Sequence, residues 1–475
     1  MSTPEMSPSE RAMEAYLSNN KGFQEVRPAV DLGLPTLPDL KKLAQELAEN
    51  GKMIIDQSAG DIADTNQPLS DELAKWMGDI RKGALKDVFP WIDTSLFGHH
   101  DKYQQQFSAV TDILAKSWGI TDTPVKSIQT VSGRMALDFF FSAMKKRAVE
   151  SAPGKAHGLI LDPMAWSGYK PYCKPSEHGL KIVNAPVQPG SGLQMTASGL
   201  EQSLEYLEKQ GQYPSAVVTI VPSNPTGVGM DRNELKKMIE MAASKDLPVL
   251  IDAFYSPLAP EGHAESVPMG WLEKELSPEA FAYVGMLVGE TKVISSQKKT
   301  GTLMWMAPSG QDEMAKEVMM ESYAKLKLRN AYPRPDEALA AAALHTFKQE
   351  NDEQPGLHLH EAMGPRYLAL ETARQAIRKM CDDLGLPCSV GGSFYAVIGL
   401  VDADGQPLIK DTDGGPVIDP AQVSQRLVKD HGVVGAPGAM FRSGAEAGPL
   451  IRVSAAATLE DINKLGEIFK KLLSA

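Results

Sequence analysis

Two hydrophobic periods alternate along the chain. Val217, Val218, Ile220 and Val221 form a short β-branched run that stops at a turn cluster, Ser223-Asn224-Pro225-Thr226-Gly227. That pattern predicts a buried strand running into a loop. From Asp231 to Lys245 the apolar residues Leu235, Met238, Ile239 and Ala242 recur at helical spacing. Val249 to Tyr255 returns as a second buried strand and carries Asp252. Strand, loop, helix and strand make a βαβ unit, so the two strands should be parallel neighbours. Asn224 and Asp252 then stand at the carboxyl ends of their strands, where open α/β sheets bind ligands.

The alternation extends in both directions. Gly158 to Pro163, Lys181 to Val187, Lys292 to Ser296 and Leu303 to Met306 read as further strands. They predict an α/β large domain with a mostly parallel sheet between helices, over residues 76–330. Near residue 330 the character changes. Residues 337–347 and 362–384 read as long helices, Gly391 to Val401 and Leu450 to Ser454 as strands, and Val423 to Asp430 as a helix. Asp402 to Gly415 reads as a hairpin or loop excursion. The chain ends in an amphipathic helix through Leu459, Ile462, Leu465, Ile468, Phe469 and Leu472. Residues 331–475 are therefore expected to form a smaller α+β domain. Residues 1–50 are helical in pattern, and 1–75 are expected to contribute to the small domain. Residues 70–87 and 101–117 read as amphipathic helices, with an aromatic-rich stretch between them.

Composition narrows the function classes. With 475 residues the chain can bury a large core in two or three domains. The net charge of −12 argues against a nucleic-acid surface, because phosphate binding wants a basic excess. Three cysteines, Cys173, Cys381 and Cys388, are too few for a disulfide scaffold and fit a reducing compartment. The stretch Met1 to Tyr16 is polar and acidic, without the apolar core of a signal peptide. No apolar run approaches the roughly 18 residues of a membrane span. His99-His100 and His358-Leu359-His360 lack a carboxylate or cysteine frame at metal spacing, so no metal is expected. The expectation is a cytoplasmic protein.

Candidate chemistry gathers on a few segments. Ser132-Gly133-Arg134 opens a helical pattern, and unpaired N–H groups at a helix start favour an anion. An N-cap serine alone would account for the same residues. Arg452 lies inside the apolar strand Ile451-Arg452-Val453-Ser454, an uncommon place for an unpaired arginine.

Four segments follow one another: SNPTG at 223–227, IDAFY at 251–255, SSQKKTG at 295–301 and LIRVS at 450–454. In that order they resemble the fold type I pyridoxal-phosphate enzymes of the class I/II aminotransferase family. SGRMAL at 132–137 resembles the phosphate loop of the aspartate aminotransferase branch. The resemblance runs from about Ile54 to the C-terminus.

It implies pyridoxal 5′-phosphate bound to a lysine as a Schiff base. Lys298 has the expected spacing, three after Ser295 and three before Gly301, and Lys299 is the alternative register. Asp252 would keep the ring nitrogen protonated, so that the cofactor acts as an electron sink. Asn224 and Tyr255 would hydrogen-bond the ring's phenolic oxygen, and Trp166 would stack on the ring. The phosphate would lie on the N–H groups of Gly133 and Arg134, beside the hydroxyls of Ser132 and Ser295. Arg452 would hold the substrate α-carboxylate, Gly60 would approach the substrate by its backbone, and Arg329 would reach across the dimer to a distal acidic group. Amino-acid and 2-oxo-acid substrates are implied. So is a homodimer with shared sites, to whose contacts residues 1–75 would add.

Departures leave the reaction open. Met306 stands where the family usually has a phosphate-binding arginine, eight residues after the lysine, and Arg134 is a candidate replacement. Gln297 replaces a small residue, and only Phe89 and Trp91 stand near the place of the family's neighbour-subunit tyrosine. An aminotransferase is the first expectation. A lyase, decarboxylase or β/γ-replacement enzyme on the same fold is the alternative, and a binding module that keeps the fold without chemistry is a third reading.

Overall fold

The computed structural model describes residues 6–19, 36–58, 110–112, 114–174, 176–188, 190–191, 193–259, 266–289, 292, 300–329, 359–410, 413–417, 419–442 and 448–474. The helices expected at 70–87 and 337–347 lie outside these residues.

Seven strands make the main sheet: β2 (Val125–Thr130), β3 (His157–Leu161), β4 (Leu180–Asn184), β5 (Tyr213–Ile220), β6 (Val249–Asp252), β7 (Val284–Val288) and β8 (Gly301–Met306). Their order is β2-β8-β7-β6-β5-β3-β4. The pairs from β7 to β4 are parallel, and only β8 runs against its neighbours β2 and β7. The inner strands β6 and β7 are buried at every position, which is why they read as continuous apolar runs rather than alternating ones.

The βαβ reading holds in detail. The helix Arg232–Ser244 buries Leu235, Met238, Ile239 and Ala242, and Asp231 caps it through the N–H groups of Asn233 and Glu234. β5 and β6 pair in parallel with Ile220 opposite Asp252.

Of the strand expected at Lys292 to Ser296, Lys292 is a turn residue and 293–296 lie outside the described residues. A buried strand not read from the sequence, β7, precedes it, and its run Val284-Gly285-Met286-Leu287-Val288 ends four residues before Lys292. The polar run Glu290-Thr291-Lys292 bounds it, so the apolar residues upstream make the sheet.

A second core forms on a four-stranded sheet, β12-β13-β10-β9, comprising β9 (Cys388–Val390), β10 (Tyr395–Gly399), β12 (Ala436–Pro437) and β13 (Leu450–Ser454). Ile451 and Val453 face Ala396, Ile398, Ile377, Ile462, Leu465 and Phe469 in that core. Strand alternation turns Leu450, Arg452 and Ser454 to the opposite face. The helices Leu359–Leu384 and Leu459–Leu473 pack together against this core, and the helix Pro8–Asn19 lies beside β9. β1 (Ile55–Asp56) pairs in parallel with β11 (Val433–Val434), bringing Gln57 and Ser58 to the same region. Among the described residues no helix is long and apolar enough to cross a membrane.

Candidate active site

Asp252 ends β6 at the carboxyl edge of the sheet and is 4% exposed. Its Oδ2 accepts a 2.7 Å hydrogen bond from the Tyr169 hydroxyl, and its Oδ1 accepts a longer one, 3.4 Å, from the Phe254 N–H. Burial pushes its pKa up to about 6, while the two donors pull the other way. No described cation pairs with it. A second carboxylate, Asp162, is pushed to about 7, first by burial and also by the charge of Asp252. Asp162 accepts from the Thr219 hydroxyl and the Ile220 N–H, both at 2.8 Å, which ties the end of β3 to the end of β5.

Asn224 sits in the turn after β5. Gly227 lets that turn close: its φ is +75°, and a Cβ there would fall 2.5 Å from the Tyr395 carbonyl oxygen. The Asn224 amide works in two directions. Its Nδ2 donates to the Tyr255 hydroxyl at 3.0 Å, and its Oδ1 accepts from Arg452 Nη1 at 3.0 Å. Arg452 is 6% exposed and also donates from Nη2 to the Ser58 carbonyl at 3.3 Å. Its guanidinium lies 4.0 Å from the Tyr395 ring centroid and 5.1 Å from that of Phe441. Among the described residues its Nε has no hydrogen-bond partner and no carboxylate pairs with it. A buried, unpaired guanidinium is costly and is suited to an incoming carboxylate. Burial and the adjacent Tyr395 hold the Tyr255 hydroxyl protonated.

The helix Gly133–Ser151 begins at the same edge, capped by Ser132, whose Oγ accepts from the Met135 N–H. No described group accepts from the N–H of Gly133 or Arg134. The approach to this turn is tight. A Cβ on Gly133 would lie 2.2 Å from the Phe254 ring, and one on Gly301 would lie 2.4 Å from Gly133 N. A Cβ on Gly289 would meet Phe254 at 2.4 Å and the Thr300 carbonyl at 2.5 Å. Both ends of the β7–β8 connection therefore close on the Ser132–Gly133 turn. Trp166 lies under the Arg134 guanidinium, 5.5 Å from it, and edge-on to Tyr169 at 5.5 Å.

Among the described residues the site thus offers an anion-binding turn, an aromatic face, a buried carboxylate lacking a cation and a buried cation lacking a carboxylate. This donor set fits a phosphorylated, cationic ring beside an amino-acid carboxylate. Residues 65–468 match the family described as aminotransferase class I and II. The chain belongs to this family. Its cofactor is pyridoxal 5′-phosphate. An apple (Malus domestica) 1-aminocyclopropane-1-carboxylate synthase is 32% identical over 201 residues, which is 41% of this chain and 40% of that protein. The chain therefore matches about two fifths of that relative's length. A single mutant of Thermus thermophilus aspartate aminotransferase superposes with a TM-score of 0.64 at 17% identity, covering 94% of this chain and 100% of the other. The aspartate aminotransferase of Rhizobium meliloti gives 0.66 at 16%, covering 95% and 99%. These structures share the fold.

Eight of the sequence-predicted residues fall in one connected set: Ser132, Gly133, Arg134, Trp166, Asn224, Asp252, Tyr255 and Arg452. Arg329, expected to reach across a dimer, lies apart from this set within its own chain. It ends the helix Glu313–Arg329 and lies 2.7 Å from Asp138 Oδ2, while His178 lies 2.8 Å from Oδ1 of the same carboxylate. Gly60, Ser295, Lys298 and Lys299 lie outside the described residues. Met306 is wholly buried at the far end of β8 from Gly301, so that position carries core packing. Tyr169, Tyr395 and Asp162 were not singled out by sequence. Tyr169 carried one usable signal, its place three residues after Trp166.

Arg134 is exposed, and its guanidinium stands over Trp166 beside the helix start. Arg134→Ala is expected to weaken pyridoxal-phosphate binding about three- to tenfold, the scale of an exposed ion pair in a helix N-terminal field. Titration of the cofactor-free protein measures it, and an unchanged dissociation constant would remove Arg134 from the phosphate site.

Proposed function

We propose that the protein is an aminotransferase moving an amino group between an amino acid and a 2-oxo acid. Buried Arg452, lacking a described carboxylate and joined through Asn224 to Tyr255, carries this reading. When bound, pyridoxal phosphate supplies an electron sink for the pair left at the substrate Cα. Asp252 holds the ring nitrogen's proton. Asn224 and Tyr255 hydrogen-bond the ring oxygen, Trp166 covers the ring, and the Ser132–Arg134 turn receives the phosphate. Arg452 takes the α-carboxylate in its fork and so orients the Cα hydrogen. The reading includes a homodimer, since family members are commonly dimeric.

The amine that tethers the cofactor and moves the Cα proton belongs to the β7–β8 connection. Lys298 is assigned as that amine by its spacing, three residues after Ser295 and three before Gly301, and Lys299 is the alternative register. Gly301, at the start of β8, abuts Gly133 at the phosphate turn, which brings the end of that connection to the cofactor site.

A second reading has a specific basis. The curated relatives are 1-aminocyclopropane-1-carboxylate synthases, which favours a reaction in which a substituent leaves the substrate side chain. One experiment separates the two. The protein with pyridoxal phosphate is mixed with single amino acids, and products are counted against cofactor. Stoichiometric 2-oxo acid, with the cofactor left in its amine form, supports amino transfer. A side-chain fragment released catalytically, with the cofactor unchanged, supports the second reading. Neither product from any amino acid would sink both.

A further inference from the structure

We propose that Tyr169 is a positioning residue for Asp252: its hydroxyl fixes the carboxylate that faces the cofactor's ring nitrogen. The proposal rests on the reading of Asp252 given above. Tyr169 belongs to the short 3-10 turn Ser167–Cys173 that follows Trp166, and its ring is fully buried. Phe141 meets it edge-on at 6.2 Å and 89°, and Trp166 at 5.5 Å and 77°. Two perpendicular contacts leave the ring little freedom, so the hydroxyl has a fixed address.

That address is Asp252 Oδ2, at 2.7 Å. Among the described residues the other oxygen has only the 3.4 Å contact from the Phe254 N–H. Tyr169 is thus the short donor to this carboxylate and the one side-chain donor to it among the described residues. The need for it is physical. Asp162 lies close enough for its carboxylate to feel the charge of Asp252, and no described cation offsets either. A hydrogen bond to the charged form of a buried acid favours that form. Burial and the neighbouring carboxylate also keep the Tyr169 hydroxyl protonated, so it remains a donor across the ordinary pH range. The same side chain supports Trp166, so one residue sets both the ring's ion partner and the wall beside it.

The test is a double-mutant cycle read by cofactor binding. Tyr169→Phe keeps the ring and removes the donor. Asp252→Asn keeps the shape and removes the charge. Pyridoxal-phosphate dissociation constants and absorption spectra are measured for wild type, both single variants and the double variant, with thermal melts as a check on folding. Tyr169→Phe is expected to weaken binding about ten- to hundredfold, the size of one hydrogen bond to a charged group. It should also shift the bound cofactor's absorption band. In the Asp252→Asn background the same change should cost less than about twofold, because the group it acts through is gone. Equal losses in the two backgrounds, or no loss in the single variant, would overturn the role of Tyr169. If Asp252→Asn binds the cofactor as wild type does, the reading of Asp252 itself fails, and the proposal falls with it.

Discussion

Replacing Lys298 by alanine is expected to lower turnover by on the order of 10⁴-fold, the upper range for a lost acid–base group. The variant loses the amine that tethers the cofactor and the amine that moves the Cα proton, and these are one group. The neighbouring lysines make the comparison sharp. Lys292→Ala and Lys299→Ala should retain most turnover. Rates of 2-oxo acid release at saturating cofactor measure all three. If Lys299→Ala is the inactive variant and Lys298→Ala is near wild type, the alternative register is the right one; if Lys292→Ala is the inactive one, the spacing from Ser295 and Gly301 does not place the tether.

The second large effect belongs to Arg452. Arg452→Ala should lower kcat/KM for amino-acid substrates by roughly 10²–10³-fold, the cost of removing one partner of a buried, hydrogen-bonded charge pair. Most of the loss should appear in KM, because the fork holds the α-carboxylate before and during the reaction. Arg452→Lys should fall between, keeping the charge without the planar fork. Two structural effects oppose each other. The alanine variant loses the stacking on Tyr395 and Phe441 and the bonds to Asn224 and Ser58. It also relieves a buried cation that has no described carboxylate, which is stabilising. Melting temperature should therefore move little while KM moves far. Steady-state kinetics and a thermal melt decide it, and an unchanged KM would take Arg452 out of the substrate site.

What the sequence disclosed depended on whether a residue's role is local. Asn224, Asp252 and Arg452 each sit in or just past a strand, where the apolar pattern fixes the element and its alternation fixes the face. Arg452 was legible because Ile451 and Val453 on either side commit the other face to the core. Tyr169 and Tyr395 were not legible. Tyr169 meets Asp252 across 83 residues of chain, and Tyr395 stands 3.5 Å from the Tyr255 hydroxyl across 140. No spacing rule encodes such meetings. Of the strand expected at Lys292 to Ser296 only Lys292 is described, and it is a turn residue. The strand Val284 to Val288 was not read from the sequence, because its place in the sheet depends on pairing with β6 and β8. Arg329 lies within its own chain beside Asp138, on the helix that follows the phosphate turn, and His178 meets the same carboxylate, a meeting that no spacing rule disclosed.

The most direct test of the central claim is a covalent map. The protein is loaded with pyridoxal phosphate, reduced with borohydride to fix the lysine–cofactor link, digested and read by peptide mass spectrometry. The account predicts one modified peptide, with the cofactor's mass on Lys298, and no modification when Lys298 is alanine. A modification on Lys299 would establish the alternative register, and one on any other lysine would contradict the placement of the tether by its spacing from Ser295 and Gly301. No modification at all would contradict the cofactor site.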